Sequence, residues 1–337
     1  MTTKVAKATK TLKAAPESTR KQAVATKRLA SVPDASIATE YVHRQIAGVN
    51  DFDIFRFARD NTKNVLIEGP TGPGKTMACR AFAAEERMAF YSIPSNVGVE
   101  PTQLFGKFVP NGQGGFVWVD GPVTDLVKHG GVLLINEVNF MPERVATVLF
   151  GLLDARREIT LLDHNAETIK AHDDLLIIAD MNPDYEGTRP LNKAFRNRFA
   201  IQLYWDYDPM VEAKLIKLPM LRTVIGKLRE QHKAGVIETP ISTNMGIEFI
   251  DIASQLGVDF AVSTIANHFN AEDRNTIANV FDVHKVELTE QIEDLENFDY
   301  EDARIKWAQT AQPGYIDPEW GVYGTDWAFD DDENEEE

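Results

Sequence analysis

The stretch Gly69-Pro-Thr-Gly-Pro-Gly-Lys-Thr76 constrains this chain more than any other. It has the pattern G-x-x-x-x-G-K-T, follows the short β-type apolar run Val65-Leu66-Ile67, and leads into Met77–Arg87, which reads as a helix. A buried strand, a glycine turn and a helix start, in that order, make a phosphate cradle. Gly69, Gly72 and Gly74 free the backbone to bring its N–H groups toward phosphate oxygens. The helix start adds unsatisfied N–H groups and the positive end of its dipole. Lys75 can reach the β- and γ-phosphates, and the Thr76 hydroxyl can sit on Mg²⁺. Gly69, Pro70, Thr71, Gly72, Pro73, Gly74, Lys75, Thr76 and Met77 are therefore the expected binding segment for a nucleoside triphosphate.

Composition narrows the class. With 337 residues, 43% of them hydrophobic, the chain can build one large domain or two. No apolar run approaches the roughly eighteen residues of a membrane span, and the lysine-containing N-terminus lacks the apolar core of a secretory signal. The single cysteine, Cys79, excludes an internal disulfide framework and fits a reducing compartment. The seven histidines show no metal-ligand spacing, so no zinc site is expected. A net charge of -17 argues against a general nucleic-acid binder, which needs a cationic surface. A soluble, cytoplasmic protein is expected.

Four regions follow from the pattern. Residues 1–33 form a basic tail, with eight Lys/Arg against only Glu17 up to position 30, and too few large apolar residues to fold alone. It reads either as a solvated tail or as an arm for a nucleic acid or an acidic partner. Residues 34–207 alternate strands with helices, which argues a parallel sheet covered on both faces. A helical region over 41–60 precedes the strand at Val65. Further strands are expected at 89–93, 132–135, 175–179 and 200–204, with hairpins over 107–122 and 158–171 and a short helix over 191–199. Residues 208–285 are purely helical, including a short helix at 265–268. Residues 286–337 are an acidic helical and irregular tail, whose aromatics around Tyr315–Phe329 dock on a neighbour or cluster on their own subunit.

Two strand ends carry further chemistry. Val132-Leu-Leu-Ile135 runs into Asn136-Glu137, and Leu175–Ala179 into Asp180-Met-Asn182. Open α/β sheets bind ligands at the C-terminal ends of their strands, which puts Glu137 toward the phosphate loop. With Arg196 and Arg198 and the helical region after them, this order resembles the AAA+ ATPases. Within them it is most similar to the MoxR branch and the CobS-type cobaltochelatase subunit. The resemblance rests on Gly69–Thr76, 116–122, 130–139, 182–192 and 196–199, covers about residues 40–285, and extends loosely to phage-encoded members. It implies a P-loop α/β domain with a small all-helical lid. Glu137 would polarise the attacking water, and Asn182 would sense the γ-phosphate, a role compatible with an Asx-type turn before Pro183. Arg196 or Arg198 would reach a neighbouring subunit's γ-phosphate. ATP and Mg²⁺ are the implied cofactors, the metal held at Thr76 and Asn136. A hexameric ring and a separate partner with a von Willebrand A domain, or another client protein, are the implied associations.

Two positions depart from that pattern. Asn136 stands where the family has Asp; its carbonyl oxygen can hold a Mg²⁺-bound water but adds no negative charge. Asn244 stands where relatives have a lid arginine, with Arg222 and Arg274 as possible substitutes. The leading expectation is a ring motor that remodels or activates a client complex. A nucleotide-gated scaffold with little hydrolysis, a metal-chelatase ATPase subunit and a nucleic-acid-associated motor are the alternatives.

Overall fold

A computed structural model describes residues 32–95, 98–183, 191 and 193–296. The expected basic tail up to residue 31, the residues from 297 onward and the segment 184–190 lie outside the described residues. In chain order the first elements are α1 Ser36–Glu40, β1 Gln45–Ile46, β2 Val49–Asn50, α2 Asp51–Asp60, β3 Val65–Glu68, α3 Lys75–Glu85, β4 Phe90–Pro94 and α4 Pro101–Phe105. There follow β5 Gly106–Pro110, β6 Phe116–Asp120, α5 Pro122–His129 and β7 Gly131–Asn136. Then come α6 Glu143–Leu153, β8 Glu158–Leu161, β9 Glu167–Lys170, β10 Leu175–Met181, α7 Lys193–Arg196, β11 Ile201–Tyr204 and α8 Pro209–Leu215. The chain separates into two compact units: residues up to Ile225 with Thr239–Glu248, and Gly226–Glu238 with Phe249 onward.

The first unit is built on a five-stranded sheet in the order β11-β3-β10-β7-β4, every pair parallel. Successive strand residues point to opposite faces, so each strand feeds two cores. Val65, Ile67, Leu134 and Ile178 join Phe52 and Phe55 of α2 and Phe82 of α3 on one side. Leu66, Leu133, Ile135 and Ile177 join Leu126 and Val127 of α5 and Leu149 and Leu152 of α6 on the other. Burial on both faces is why these strands read as unbroken apolar runs; all seven residues of β10 are buried. In the three central strands, β3, β10 and β7, polar side chains enter only at the C-terminal ends: Glu68, Asp180 and Asn136. The sheet therefore presents its chemistry along one edge, as the α/β reading anticipated.

The hairpins β5–β6 and β8–β9 are antiparallel, as expected from their sequences. Three expectations need correction. The helix over 41–60 begins only at Asp51, because Ala47 and Gly48 take left-handed backbone between β1 and β2. The buried Asp51 carboxylate also accepts from Tyr41 Oη (2.6 Å) and Arg44 N (3.1 Å), drawing 41–44 back across the helix start. The helix over 191–199 is confined to α7, and the one at 265–268 is a nine-residue helix, Val258–Ala266.

The second unit contains that helix together with Ala271–Val283 and Lys285–Glu296. Phe249 stacks on Phe281 with ring centroids 5.2 Å apart. Asn270 caps Ala271–Val283 by accepting from Asp273 N at 2.7 Å, while the Asp273 carboxylate accepts from Glu238 N at 2.8 Å.

Phe82 ties α2 and α3 to the sheet: it is fully buried and meets Phe52 and Phe55 edge-on, with centroids 5.4 and 5.5 Å away. Phe82→Ala removes that wedge, and a loss of about 3–5 kcal/mol is expected. A lowered melting temperature by calorimetry, with far-ultraviolet dichroism retained at low temperature, is the checking measurement.

Candidate functional site

The phosphate loop is shaped by backbone that ordinary side chains avoid. Gly72 and Gly74 have φ of +86° and +94°, and Gly74 leads directly into α3. At Gly72 a Cβ would also lie 2.4 Å from the Ser242 Cβ, so the close approach of residues 239–248 requires glycine as well. Thr243 anchors that segment by donating to Glu212 at 2.6 Å. The loop, the strand ends and this segment enclose a cavity of about 390 Å³.

Thr71, Gly72, Pro73, Gly74, Lys75, Thr76 and Met77 all line the cavity, as do Asn136, Glu137 and Asn182. The structure thus gathers Thr71–Met77 of the expected segment and two distant strand ends into one place, while Gly69 and Pro70 do not line the cavity. Lys75 is buried, and its ammonium donates to the Gly69 and Pro70 carbonyls at 2.8 and 2.6 Å. Burial lowers its pKa, while the nearby Asp180 and Glu137 carboxylates oppose that shift. The Asn182 amide donates to Thr71 Oγ1 at 3.0 Å, which ties the end of β10 to the loop. Tyr207 Oη donates to the Thr71 carbonyl at 2.9 Å from the far side.

Glu137 is exposed and adopts left-handed backbone, with φ 53° and ψ 51°. That conformation costs a residue with a side chain about 1–2 kcal/mol. It is held because Glu137 N–H donates to Asp180 Oδ1 at 2.6 Å. The Asn136 amide turns its nitrogen to the same carboxylate, donating to Oδ1 at 3.3 Å and Oδ2 at 3.2 Å. The same end of the amide lies 3.4 Å from the Thr76 hydroxyl. A nitrogen at this end of the amide satisfies the Asp180 acceptor, whereas a carbonyl oxygen there accepts from the Thr76 hydroxyl, the metal-side role expected of Asn136. Burial pushes the Asp180 carboxyl up to about 6; the Glu137 N–H and Lys75 pull it back, and the Glu137 charge adds to the rise.

Asp180, Arg80, Met181 and Asn244 complete the lining. Sequence reading had not assigned Asp180 or Arg80; a polar residue closing an apolar strand run was the signal for the first. Asn244 does reach the cavity. Arg222 does not line it, and its guanidinium donates to the Ile216 carbonyl at 2.5 Å. Neither Arg196 nor Arg198 lines it either. Arg196 pairs with Glu68 and donates to Gln202 at 3.2 Å. Arg198 donates to the Ala194 carbonyl and lies over the Phe150 ring at 4.6 Å.

Beside the loop lies a second cavity of about 320 Å³, lined in part by Arg44, Ile46, Tyr204 and Trp205. Arg44 is buried, lies 5.0 Å from the Trp205 ring centroid, and donates to the Pro73 and Asp206 carbonyls. It links this cavity to the phosphate loop.

The residues fit a magnesium-bound nucleotide. The loop supplies left-handed glycines, a helix start and a buried ammonium, which suit phosphate oxygens. Thr76, Glu137 and Asp180 bring oxygen-bearing side chains to the same cavity, the donor type a hard divalent cation takes.

Fold and site together define a P-loop nucleotide-binding domain. Residues 64–199 match the AAA domain of the dynein-related subfamily. The chain is 36% identical over 165 residues to an uncharacterized protein of Staphylococcus aureus strain USA300, covering 47% of this chain and 62% of that protein. It is 30% identical over 203 residues to an uncharacterized protein of Staphylococcus haemolyticus, covering 59% of this chain and 73% of the relative. Among solved structures, NtrX from Brucella abortus in complex with ATP aligns at 18% identity and a TM-score of 0.37, over 67% of this chain and 46% of that one. Residues 64–199 thus carry a dynein-related AAA domain. The chain spans about 62% of the length of the first curated relatives it matches.

Lys75→Ala removes the buried ammonium, whose charge-assisted bonds to phosphate are worth roughly 1.5–3 kcal/mol. Titration with a fluorescent ATP analogue should show affinity lowered by about 10- to 100-fold, with the fold retained by circular dichroism.

Proposed function

We propose that the chain binds ATP with Mg²⁺ in this cavity and hydrolyses it as a ring-forming AAA+ motor of MoxR type. The observation that carries this reading is Glu137, an exposed carboxylate held in left-handed backbone at the cavity wall beside the Lys75 loop. In this reading the loop N–H groups and Lys75 hold the phosphates, and the ammonium leaves the Gly69 and Pro70 carbonyls to do so. The second cavity, with Arg44 and Trp205, takes the base and ribose. Thr76 and Asn136 are the metal-side residues, and the cation offsets negative charge on the phosphates when bound. Glu137 orients and polarises the attacking water, and Asn182 positions the outermost phosphate. Arg196 or Arg198 acts on the nucleotide of a neighbouring subunit, which fits their position outside this chain's own cavity. Motion of the helical residues after Asp208 converts turnover into remodelling of a client protein complex, with a separate von Willebrand A-domain protein as partner.

A second reading, a nucleotide-gated scaffold with little hydrolysis, is favoured by Asn136, which withholds a negative charge from the strand end and turns its amide nitrogen inward. Steady-state hydrolysis and mass photometry on wild type and Glu137→Gln separate the two. The motor reading expects turnover to fall by at least about 100-fold in Glu137→Gln while nucleotide-dependent oligomers persist. Oligomers without turnover in either protein would favour the scaffold.

A further inference from the structure

We propose that Asp180 supplies the negative charge of the metal side of the site, taking from strand β10 the role that Asn136 leaves empty on β7. This rests on the nucleotide-binding reading above and deepens it. The register makes the exchange possible. Ala179 pairs with Ile135 in a parallel ladder, so the next residues, Asp180 and Asn136, stand side by side at the ends of adjacent strands. In-register neighbours on parallel strands project to the same face, one strand spacing apart. Moving a carboxylate between these positions shifts the charge sideways by about 5 Å without changing the face it serves.

The contacts show that the two positions are complementary. The Asn136 amide donates to both Asp180 oxygens at 3.2 and 3.3 Å, and the same end of the amide lies 3.4 Å from the Thr76 hydroxyl. A carboxylate at 136 would place two anions in that contact, which drives one of them to protonate. One Asp and one Asn across this pair avoid the conflict and keep a single negative charge beside Thr76. The same carboxylate fixes the Glu137 backbone, so the metal side and the water-orienting side of the site share one anchor.

Asp180 also has an electrostatic requirement that its protein contacts leave open. It is 3% exposed, lines the cavity, and joins no ion pair among the described residues; Lys75 acts on it only at longer range. Buried carboxylates are ordinarily paired or coordinate a metal. Its hydrogen bonds from one backbone N–H and one neutral amide do not neutralise its charge. A divalent cation entering the cavity beside Thr76 does. Asp180 then binds the cation directly or through a water held on it.

The test is the Mg²⁺ dependence of nucleotide binding by the full-length chain, read with a fluorescent ATP analogue in Mg²⁺ and in EDTA. Asp180→Asn keeps an acceptor oxygen for Glu137 N–H, removes the charge, and leaves the Asn136 amide one of its two acceptors. It should lose on the order of 10- to 100-fold of the Mg²⁺ enhancement seen in wild type, with affinity in EDTA unchanged or higher. The exchange variant Asn136→Asp/Asp180→Asn puts the charge back on β7 and should recover the enhancement to within about threefold of wild type. If Asp180→Asn fails to fold, Asn136→Asp alone decides. The added carboxylate meets an anion already in place and shares a proton with it. Mn²⁺ affinity, followed by electron paramagnetic resonance, should therefore stay within about threefold of wild type, and a gain of about tenfold or more, as for a site that held no charge, overturns the proposal. Full Mg²⁺ enhancement in folded Asp180→Asn reduces Asp180 to a structural anchor for Glu137. Equal wild-type binding with and without Mg²⁺ overturns the proposal but leaves the nucleotide site standing. No wild-type binding at all overturns both.

Discussion

The hydrogen bond from Glu137 N–H to the Asp180 carboxylate is the contact on which the candidate site depends. It joins the end of β7 to the end of β10 and holds Glu137 in a backbone region that its own side chain disfavours. Without an acceptor at that place the chain would leave β7 in extended or right-handed backbone, and the Glu137 carboxylate would project elsewhere. The acceptor in turn depends on the parallel register, which the apolar cores on both faces of the sheet enforce. A slip of one residue would carry every core side chain of β10 to the wrong face. Packing thus fixes chemistry here: buried valines, leucines and isoleucines set the strand ends, and the strand ends set the site.

A second dependence runs through the phosphate loop. Its glycines bend the backbone into a cradle, and three neighbours brace it: Asn182 and Tyr207 at Thr71, and Arg44 at Pro73. Lys75 meanwhile bonds to the loop's own carbonyls. Those bonds satisfy a buried ammonium at low cost, and an arriving polyanion offers it a stronger charge-assisted partner.

Much of this was legible in the sequence. The strand, turn and helix around Gly69–Thr76 are local, so their order along the chain spells their arrangement in space. The buried strands showed as apolar runs, and the residues closing them, Asn136-Glu137 and Asp180–Asn182, pointed to the ligand edge. The part Asp180 plays was not legible, because it depends on which residue of β7 stands beside it, and that register links segments more than forty residues apart. The turn at Ala47-Gly48 was hidden because its apolar neighbours keep a near-helical spacing by chance, while the long-range contacts of Asp51 decide the conformation. Arg196 and Arg198 look alike in sequence, yet one pairs with Glu68 and the other lies over Phe150, a difference that tertiary neighbours alone determine.

A crystal structure with Mn²⁺ and a non-hydrolysable ATP analogue tests the account most directly, the cation being located by its anomalous signal. The account predicts phosphates on the backbone N–H groups of the loop, the Lys75 ammonium moved from the Gly69 and Pro70 carbonyls to phosphate oxygen, and the cation between Thr76 and the Asn136–Asp180 pair. A nucleotide bound elsewhere, or Lys75 still bonded to its own loop with the analogue present, would contradict it.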